Sequence, residues 1–272
     1  MKLYGITGSP LGHSLSPALH NWALEQAGIT GAYLAWPLDA GRMPDFVNAV
    51  RVLNIQGVSV TIPHKESILP LLDGLTARAR ALGAVNTLYW GKDGLCGDNT
   101  DVDGLIAPLR GRAFGSALVL GAGGAARAAL AALRDLGLPA VAVCSRSGDR
   151  TRKLAAECGA QHLDWEDRAA YEADLIINAT PLGMYGAHEG QSPLPQAAFT
   201  RRYTGARLAY DLVYTPLNTR FLSEAEAAGW QTQDGLSMFV AQAQAQFCLW
   251  TGQSFPETEA RVLLLRELGK RH

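Results

Sequence analysis

The chain has 272 residues, of which 48% are hydrophobic and 18% are charged, and its formal net charge at pH 7 is −1. Such a chain can bury one large α/β core or two cores of modest size. The balanced charge, with no long basic or acidic run, argues against nucleic acid or a membrane surface as the main partner. Neither a signal peptide nor a membrane span is predicted, and the four cysteines lack metal-binding spacing. We therefore expect a cytoplasmic protein with reduced thiols and no metal site.

Short strands alternate with helices in the first third of the chain. Residues 3–7 predict a strand, and the loop behind it leads to a helix over 18–27, for which Ser16 suits the N-cap. Hydroxyl groups beside a helix N-terminus also suit a small carboxylate ligand, so Ser14 and Ser16 are candidate binding residues. The alternative, that they only cap and turn the chain, accounts better for Ser16 than for Ser14. Further strands are predicted at 33–37, 56–62 and 84–90, and further helices at 43–53, 63–72 and 102–109.

A lysine and an aspartate in this region are candidates for catalysis. Thr61 and Lys65 follow the predicted strand over 56–62, and open α/β sheets bind ligands at the carboxyl ends of their strands. The first turn of a helix is an unfavourable place for a cation, which favours a catalytic role for Lys65 over a merely exposed one. Asp101 directly precedes the helix predicted over 102–109, where a simple N-cap is an equally good interpretation.

The stretch 117–127 is the motif around which the rest of the chain is organised. Residues 117–120 are small or apolar, as expected for a strand that is buried on both faces of a parallel sheet. A G-x-G-x-x-A pattern then begins at Gly121 and leads into an alanine-rich helix. Strand, glycine loop and helix in this order form the phosphate-binding site of a dinucleotide-binding unit. A second strand at 140–144 lies at βαβ distance. The alternative is a glycine-rich turn of an unrelated α/β protein.

The end of that second strand indicates which dinucleotide is bound. Arg146 stands where an NAD site usually carries an acidic residue for the ribose 2′-hydroxyl. A guanidinium pairs with a phosphate through two donors, so the sequence predicts NADP(H). A solvated surface arginine is the alternative. Asp149 lies beyond the strand end, where we expect it to cap a helix over 150–157.

The remainder of the chain continues the same alternation. A polar, glycine-rich linker at 110–115 indicates two domains, and a cleft between domains is the usual place for a ligand. Strands are predicted at 174–178 and 208–213, and helices at 221–228 and 235–249. The last of these helices carries Gln242, which is either exposed or part of a site.

Seven motifs occur together in the order found in one known family. They are Ser14-x-Ser16-Pro17, Val60-Thr61-Ile62-Pro63-His64-Lys65, Gly83-Ala84-Val85-Asn86-Thr87, Gly97-Asp98-Asn99-Thr100-Asp101, Gly121-Ala122-Gly123-Gly124-Ala125, Asn178-Ala179-Thr180-Pro181-x-Gly183-Met184 and Gly235-x-x-Met238-x-x-x-Gln242-Ala243. The chain resembles the shikimate dehydrogenase family over nearly its whole length. The resemblance implies an α/β fold with a substrate-binding catalytic domain over 1–101, a Rossmann-type NADP-binding domain over 102–236, and C-terminal helices over 237–272 that pack back on the first domain.

The resemblance also implies an activity and a set of site residues. The activity is the reversible reduction of 3-dehydroshikimate to shikimate by NADPH, in aromatic amino-acid biosynthesis, with Lys65 and Asp101 as the catalytic pair. The implied substrate-binding residues are Ser14, Ser16, Thr61, Lys65, Asn86, Asp101, Tyr214 and Gln242. The implied cofactor-binding residues are Gly121, Ala122, Gly123, Gly124, Ala125, Ser145, Arg146, Ser147, Arg150, Leu212 and Gly235. We expect a monomer or homodimer whose partner is the small-molecule substrate.

Four positions depart from the family pattern, and two other functions stay open. Ser145-Arg146-Ser147 stands where Asn-Arg-Thr is common, Ala77 replaces an acidic residue of some relatives, and His64 replaces a Phe. A dual-specificity quinate/shikimate dehydrogenase is the first alternative, although the paired serines are typical of shikimate-preferring relatives. The second is a non-catalytic nucleotide-sensing regulator, which would not require both Lys65 and Asp101.

Overall fold

The computed structural model describes residues 1–12, 14–200 and 206–270, and its internal contacts divide the chain into two units. The first unit consists of Met1–Asp101 together with Val240–His272, and the second of Val102–Phe239. The C-terminal segment thus belongs to the N-terminal unit. None of the helices in the described part of the chain has the length and apolar character needed to cross a membrane.

Strands and helices alternate through both units. The strands are β1 (Lys2–Gly8), β2 (Gly31–Pro37), β3 (Gly57–Val60), β4 (Gly74–Leu75), β5 (Thr87–Gly91), β6 (Gly94–Asp98), β7 (Ser116–Leu120), β8 (Ala140–Cys144), β9 (Gln161–His162), β10 (Leu175–Asn178), β11 (Leu208–Asp211) and β12 (Gln231–Gln233). The helices are α1 (Ser16–Gln26), α2 (Met43–Val52), α3 (Ala77–Leu82), α4 (Asp101–Ile106), α5 (Gly124–Asp135), α6 (Gly148–Cys158), α7 (Arg220–Ala227), α8 (Gly235–Thr251) and α9 (Glu257–Gly269). The predicted domain boundary between 236 and 237 falls inside α8, and the functions assigned to the domains stay predictions.

The first unit contains a mixed six-stranded sheet in the order β2-β1-β3-β5-β6-β4. β1 runs parallel to β2 and β3, whereas β5 is antiparallel to both of its neighbours. In the register of β5, Thr87 pairs with Ser59 of β3 and with Asp98 of β6. The carboxyl ends of β1, β3 and β6 therefore meet the amino end of β5 at one edge of the sheet.

The second unit contains a six-stranded parallel sheet in the order β12-β11-β10-β7-β8-β9. The chain passes from β7 to β8 and β9 on one side and then returns to β10, β11 and β12 on the other. This is the doubly wound arrangement, in which the order of strands reverses at β7. The four residues 117–120 are fully buried, which confirms the predicted central strand.

Small side chains hold α5 close to this sheet. Seven residues of α5 are buried, and five of them are alanines: Ala126, Ala128, Ala129, Ala131 and Ala132, beside Leu130 and Leu133. Alanine favours the helix and adds little bulk, so the axis of α5 can lie near the strands it covers. This packing fixes where the N-terminus of α5 lies relative to the end of β7.

Helix α8 is fixed to the first sheet by its C-terminal half. The indole Nε1 of Trp250 donates to the carbonyl oxygen of Leu88 at 2.8 Å. At Gly57 a Cβ would lie only 2.3 Å from the Trp250 ring, so glycine gives the indole its place over β3. His20 stacks on Tyr33 with ring centroids 4.4 Å apart and lies 5.1 Å from Trp250. The predicted return of the C-terminal helices to the N-terminal unit is confirmed.

The prediction of a helix over 63–72 is wrong. The chain forms turns after β3, with only a short 3₁₀ helix at Leu69–Leu71. The carbonyl oxygen of Lys65 accepts from the backbone N–H of Val85 at 2.8 Å, while the N–H of Leu69 bonds to Glu66. Because the Lys65 carbonyl is engaged by a neighbouring chain segment, it does not continue a helical ladder. α3, β4, β6, β9 and β12 are not among the predicted elements, whereas α9 belongs to the C-terminal helices predicted over 237–272.

Two predicted helix caps are also wrong. Ser16 is the first residue of α1 instead of its N-cap, and its N–H donates to Ser14 Oγ at 3.3 Å. The N-cap residue is Leu15, which has no capping side chain, and Ser14 instead accepts from the first N–H of the helix. Asp149 lies inside the first turn of α6, where its carboxylate pairs with Arg152 at 2.6 Å.

Candidate active site

A buried carboxylate with two strong partners lies at the ligand-binding edge of the first sheet. Lys65 Nζ donates to Asp101 Oδ2 at 2.5 Å, and Asn86 Nδ2 donates to Asp101 Oδ1 at 2.7 Å. The side chains of Lys65 and Asp101 are 25% and 13% exposed. Each carboxylate oxygen therefore has its own donor, and the ammonium group keeps limited access to solvent.

Backbone geometry turns the Asp101 side chain towards Lys65. The N–H of Asp101 donates to Asn99 Oδ1 at 3.1 Å, and Asn99 Nδ2 donates to the carbonyl oxygen of Ala84 at 3.0 Å. Asn99 thereby satisfies a backbone N–H at the start of α4 that has no partner within the helix, a task that an N-cap side chain usually performs. The N-cap interpretation of Asp101 is wrong, and its carboxylate is available for the pair with Lys65.

The amide of Asn86 is held in one orientation. Its Oδ1 accepts from the N–H of Thr100 at 2.8 Å and from the hydroxyl of Thr87 at 2.6 Å. Because the oxygen side is committed to these two donors, the NH₂ side must face Asp101. Asn86, Thr87 and Thr100 are all buried, so water does not compete for these bonds.

A second buried carboxylate supports the segment that ends in Asp101. Asp98 accepts two bonds from the guanidinium of Arg78 and one from the Thr76 hydroxyl, all at 2.6 Å. The backbone N–H of Asn99 also donates to it at 2.7 Å. Burial acts to raise the pKa of Asp98, but these donors outweigh it and hold the pKa below its ordinary value.

The other candidate substrate residues of the first unit lie on elements that reach the same edge. Ser14 and Ser16 follow β1, and Thr61 follows β3, where its N–H donates to the Thr7 carbonyl oxygen at 3.0 Å. Gln242 lies on α8, one turn before Gln246, and residues four apart share a helix face. Gln246 itself donates to the backbone oxygen of Asn86 at 3.0 Å.

The glycine loop of the second unit leaves room for a bulky anion. Gly121 has a φ of +123°, and a Cβ there would lie 2.8 Å from the carbonyl oxygen of Ala179. At Gly123 and Gly124 a Cβ would meet no atom within 4 Å, and both residues are exposed. The N-cap of α5 is Gly123, which has no side chain to bond the first N–H groups. The loop therefore fits the pyrophosphate of a dinucleotide.

The end of β8 presents an available cation. Ser145 Oγ lies 2.7 Å from the Thr151 hydroxyl and accepts from the N–H of Ser147 at 3.2 Å, which fixes the turn. Arg146 is exposed, and it forms no ion pair with any residue that the structure describes. Arg150 is exposed on the first turn of α6. This arrangement fits a phosphate monoester beside the strand end.

Leu212 and Gly235 lie against each other at the end of β11. A Cβ at Gly235 would lie 2.4 Å from the Leu212 carbonyl oxygen, so only glycine allows this approach. The adjoining Asp211 is buried and accepts from Thr219 Oγ1 at 2.6 Å and Asn178 Nδ2 at 2.9 Å. Burial raises the pKa of Asp211 to about 6, although these bonds oppose the shift. The Tyr214 ring lies 5.3 Å from the ring of Phe239.

The predicted site residues are thus joined in separate groups. Direct hydrogen bonds connect Lys65, Asn86 and Asp101, whereas Tyr214 lies in the second unit. No role was predicted for the supporting residues, which are Thr76, Arg78, Thr87, Asp98, Asn99, Thr100 and Gln246. Two signals are visible in the sequence, the polar run 97–101 and a glutamine on an apolar helix, and neither reveals which side chain bonds which.

The parallel sheet with its glycine loop, and the mixed sheet with its lysine–carboxylate pair, define a two-domain dinucleotide-dependent oxidoreductase. Two family models match the chain: "Shikimate dehydrogenase substrate binding domain" over residues 6–88 and "Shikimate 5'-dehydrogenase C-terminal domain" over residues 235–261. A shikimate dehydrogenase (NADP(+)) from Oleidesulfovibrio alaskensis is 51% identical over 97% of this chain and 94% of the relative. The chain belongs to the shikimate dehydrogenase family.

Solved structures agree with this assignment. Shikimate 5-dehydrogenase from Thermus thermophilus, in complex with NADP(H) and shikimate, is 38% identical with a TM-score of 0.88 and covers 98% of this chain and 99% of its own. Quinate dehydrogenase from Corynebacterium glutamicum, in complex with NAD, is 29% identical with the same TM-score and covers 97% and 99%. The fold is therefore shared by proteins named for different substrates and cofactors, so specificity must come from individual side chains.

The contribution of Asp98 to the free energy of unfolding should depend on pH. Since the pKa of folded Asp98 is below its ordinary value, its ionised form stabilises the protein above about pH 4, and this contribution is lost as the pH falls through the folded pKa. We expect Asp98→Asn to lower the free energy of unfolding by about 3 kcal/mol at pH 7, because Arg78 loses its buried partner. The difference from wild type should shrink below about pH 4 in urea titrations. Asp45→Asn, which breaks only an exposed pair with Arg42, is the control. A difference that stays constant down to about pH 2 would contradict this account.

Proposed function

We propose that this protein catalyses the reversible, NADPH-dependent reduction of 3-dehydroshikimate to shikimate in aromatic amino-acid biosynthesis. The observation that carries the proposal is the Lys65–Asp101 pair, fixed by Asn86 at the ligand-binding edge of the first sheet. Membership of the shikimate dehydrogenase family supports the substrate assignment. We also propose a cytoplasmic location and a monomer or homodimer.

The cofactor would be held by residues of the second unit. Gly121, Ala122, Gly123, Gly124 and Ala125 would bind the pyrophosphate through backbone N–H groups at the N-terminus of α5. Ser145, Arg146, Ser147 and Arg150 would bind the 2′-phosphate end, and Leu212 and Gly235 would lie at the nicotinamide side. When bound, NADP supplies the hydride exchange, and the protein supplies binding, orientation and proton transfer.

Lys65 is the proposed acid–base group. Reduction of a ketone needs a proton for the oxygen that develops negative charge, and the Lys65 ammonium can donate one and stabilise that charge. In the oxidative direction the same nitrogen, as the neutral amine, takes the hydroxyl proton and becomes the ammonium. Asp101 holds the ammonium in place through its Oδ2, and it can orient a substrate hydroxyl.

The remaining substrate residues are assigned to the two ends of the ring. Ser14 and Ser16 would bind the carboxylate through hydroxyl and backbone donors, which does not require a full positive charge. Thr61, Asn86, Tyr214 and Gln242 would bind around the ring and its hydroxyl groups. Because Asn86 already donates to Asp101, its position and that of the acid–base pair are set together.

Replacing the catalytic lysine should affect turnover far more than binding. We expect Lys65→Ala to lower kcat for shikimate oxidation by roughly 10²–10⁴-fold, the range for loss of a general acid–base group. The Kd for shikimate, measured by calorimetry, should change much less. Lys92→Ala removes a lysine in the same unit, outside the site, and serves as the control. If kcat held within a few-fold while binding collapsed, Asp101 would become the leading acid–base candidate.

Cofactor preference should depend on Arg146. A charge-assisted pair with the 2′-phosphate contributes about 1.5–3 kcal/mol, so Arg146→Ala should raise KM for NADP at least about tenfold and leave KM for NAD nearly unchanged. Arg152→Ala is a matched control, because that neighbouring arginine already pairs with Asp149. Equal effects of Arg146→Ala on both cofactors would show that Arg146 does not bind the 2′-phosphate.

Shikimate should be preferred over quinate by at least about tenfold in kcat/KM, or about 1.4 kcal/mol. Quinate carries an additional hydroxyl at the carbon bearing the carboxylate, and leaving it unpaired in a buried site costs about 1–3 kcal/mol. Ser14→Ala should weaken shikimate binding and leave NADP binding unchanged, with Ser67→Ala as the control. Comparable kcat/KM values for the two acids would favour the quinate/shikimate alternative, which the likeness to a quinate dehydrogenase keeps open.

A further inference from the structure

A glutamine of α8 is inserted into the polar core behind the proposed catalytic pair. Gln246 is only 2% exposed, and all of its side-chain polar atoms have partners. Its Oε1 accepts from the Ser59 hydroxyl at 2.7 Å. Its Nε2 donates at 3.0 Å both to the Asn86 backbone oxygen and to Thr87 Oγ1. A buried polar side chain with every group satisfied is costly to replace and fixes the chain segments that it joins.

The hydrogen bonds through Gln246 all run in the same direction. The Tyr33 hydroxyl donates to Ser59 at 2.6 Å, and Ser59 in turn donates to Gln246. Gln246 then donates to Thr87, whose hydroxyl donates to Asn86 Oδ1 at 2.6 Å. Thr87 accepts from Gln246, and the nearer acceptor for its own proton is Asn86 Oδ1 at 2.6 Å, whereas Thr100 Oγ1 lies 3.3 Å away. Bonds aligned in this way polarise one another in a low dielectric.

The chain of hydrogen bonds through Gln246 and Thr87 extends to the carboxylate of Asp101. With Asn86 Oδ1 occupied by Thr87 and Thr100, the Asn86 NH₂ group is left for Asp101 Oδ1. We propose that Gln246 is a positioning residue that acts through Thr87 and Asn86 to hold Asp101, and with it Lys65, in the reactive geometry. The proposal rests on the proposed function insofar as that geometry serves shikimate oxidation.

Gln244 on the same helix provides a contrast. It also forms two side-chain bonds, accepting from the N–H of Phe255 at 3.0 Å and donating to Glu257 at 3.2 Å. These bonds join α8 to the start of α9 and do not involve the Asn86 segment. A purely structural glutamine of the same helix is thus available as a matched control.

The surroundings of Gln246 keep the network free of ionised groups on its inner side. Burial lowers the pKa of the adjacent His20 to about 3, so this imidazole is neutral at pH 7. Burial also raises the pKa of Tyr33, which keeps its hydroxyl proton available for Ser59. The charged groups at the other end of the network are Asp101 and Lys65 themselves.

The first experiment compares Gln246→Met with Gln244→Met in the full-length protein. Methionine keeps the volume of glutamine and removes both polar groups. We expect Gln246→Met to lower kcat for shikimate oxidation about tenfold, within the range that a small misplacement of reacting groups costs, with KM for NADP unchanged. Gln244→Met removes bonds that lie nearer the surface, so it should lower Tm less than Gln246→Met does and leave kcat unchanged. Wild-type kcat in Gln246→Met, or equal losses of kcat in both variants, would overturn the proposal.

A second variant separates positioning from packing by its response to pH. Gln246→Glu has the same shape, and when protonated it keeps an acceptor for Ser59 and one donor. When ionised it has no donor and would draw the Thr87 proton away from Asn86. The ratio of its kcat to that of wild type should therefore be higher at about pH 6 than at about pH 9, whereas the ratio for Gln246→Met should not vary. A pH-independent ratio for Gln246→Glu would count against the proposal.

A third measurement does not depend on activity. The side-chain NH₂ signals of Asn86 in nitrogen-15 NMR spectra report its bond to Asp101. They should shift in Gln246→Met, return towards wild type in Gln246→Glu at low pH, and stay in place in Gln244→Met. Unchanged Asn86 signals in Gln246→Met would refute the coupling. A wild-type protein that is inactive on shikimate, but shows these shifts, would refute the proposed function and leave the positioning role intact.

Discussion

The carboxylate of Asp101 lies in a largely buried place, where a donor meets each of its oxygens. An ammonium and an amide perform this task, at 2.5 and 2.7 Å. Removal of either would leave a desolvated charge, which folded proteins tolerate poorly. Both donors must be held in place, and backbone hydrogen bonds fix the residues concerned. The Lys65 carbonyl oxygen accepts from the N–H of Val85, and the N–H of Asp101 donates to Asn99.

The mixed sheet makes that arrangement possible. Lys65 comes after β3, Asn86 before β5 and Asp101 after β6, so the three reach one edge only if β5 runs against its neighbours. In an all-parallel sheet the start of β5 would lie at the opposite edge from the ends of β3 and β6. The second unit needs no such reversal, because all of its proposed cofactor residues follow strand ends or open helices, and its sheet is parallel throughout.

The sequence predicts correctly those strands and helices whose formation depends on residues close together in the chain. The apolar run of β7, its glycine loop and the alanine-rich α5 have the structure that their sequence indicates. The helix expected after Pro63 does not form because a distant N–H, that of Val85, takes the Lys65 carbonyl oxygen. For the same reason the role of Gln246 could not be predicted. Its polar character on an apolar helix is visible in the sequence, but its partners Ser59 and Asn86 are far away in the chain. The roles assigned to the site residues by resemblance stay predictions until they are measured.

The alanine-lined face of α5 has a consequence for how this protein can change over time. Five of the seven buried side chains of this helix are alanines, and the N-terminus of the same helix adjoins the glycine loop. An added methyl group anywhere along that face must push the helix outward, since packed interiors do not absorb volume. Mutational drift in a core position that never approaches a ligand would then be read out as weaker nucleotide affinity. We therefore expect the buried alanines of α5 to matter for nucleotide affinity as well as for stability.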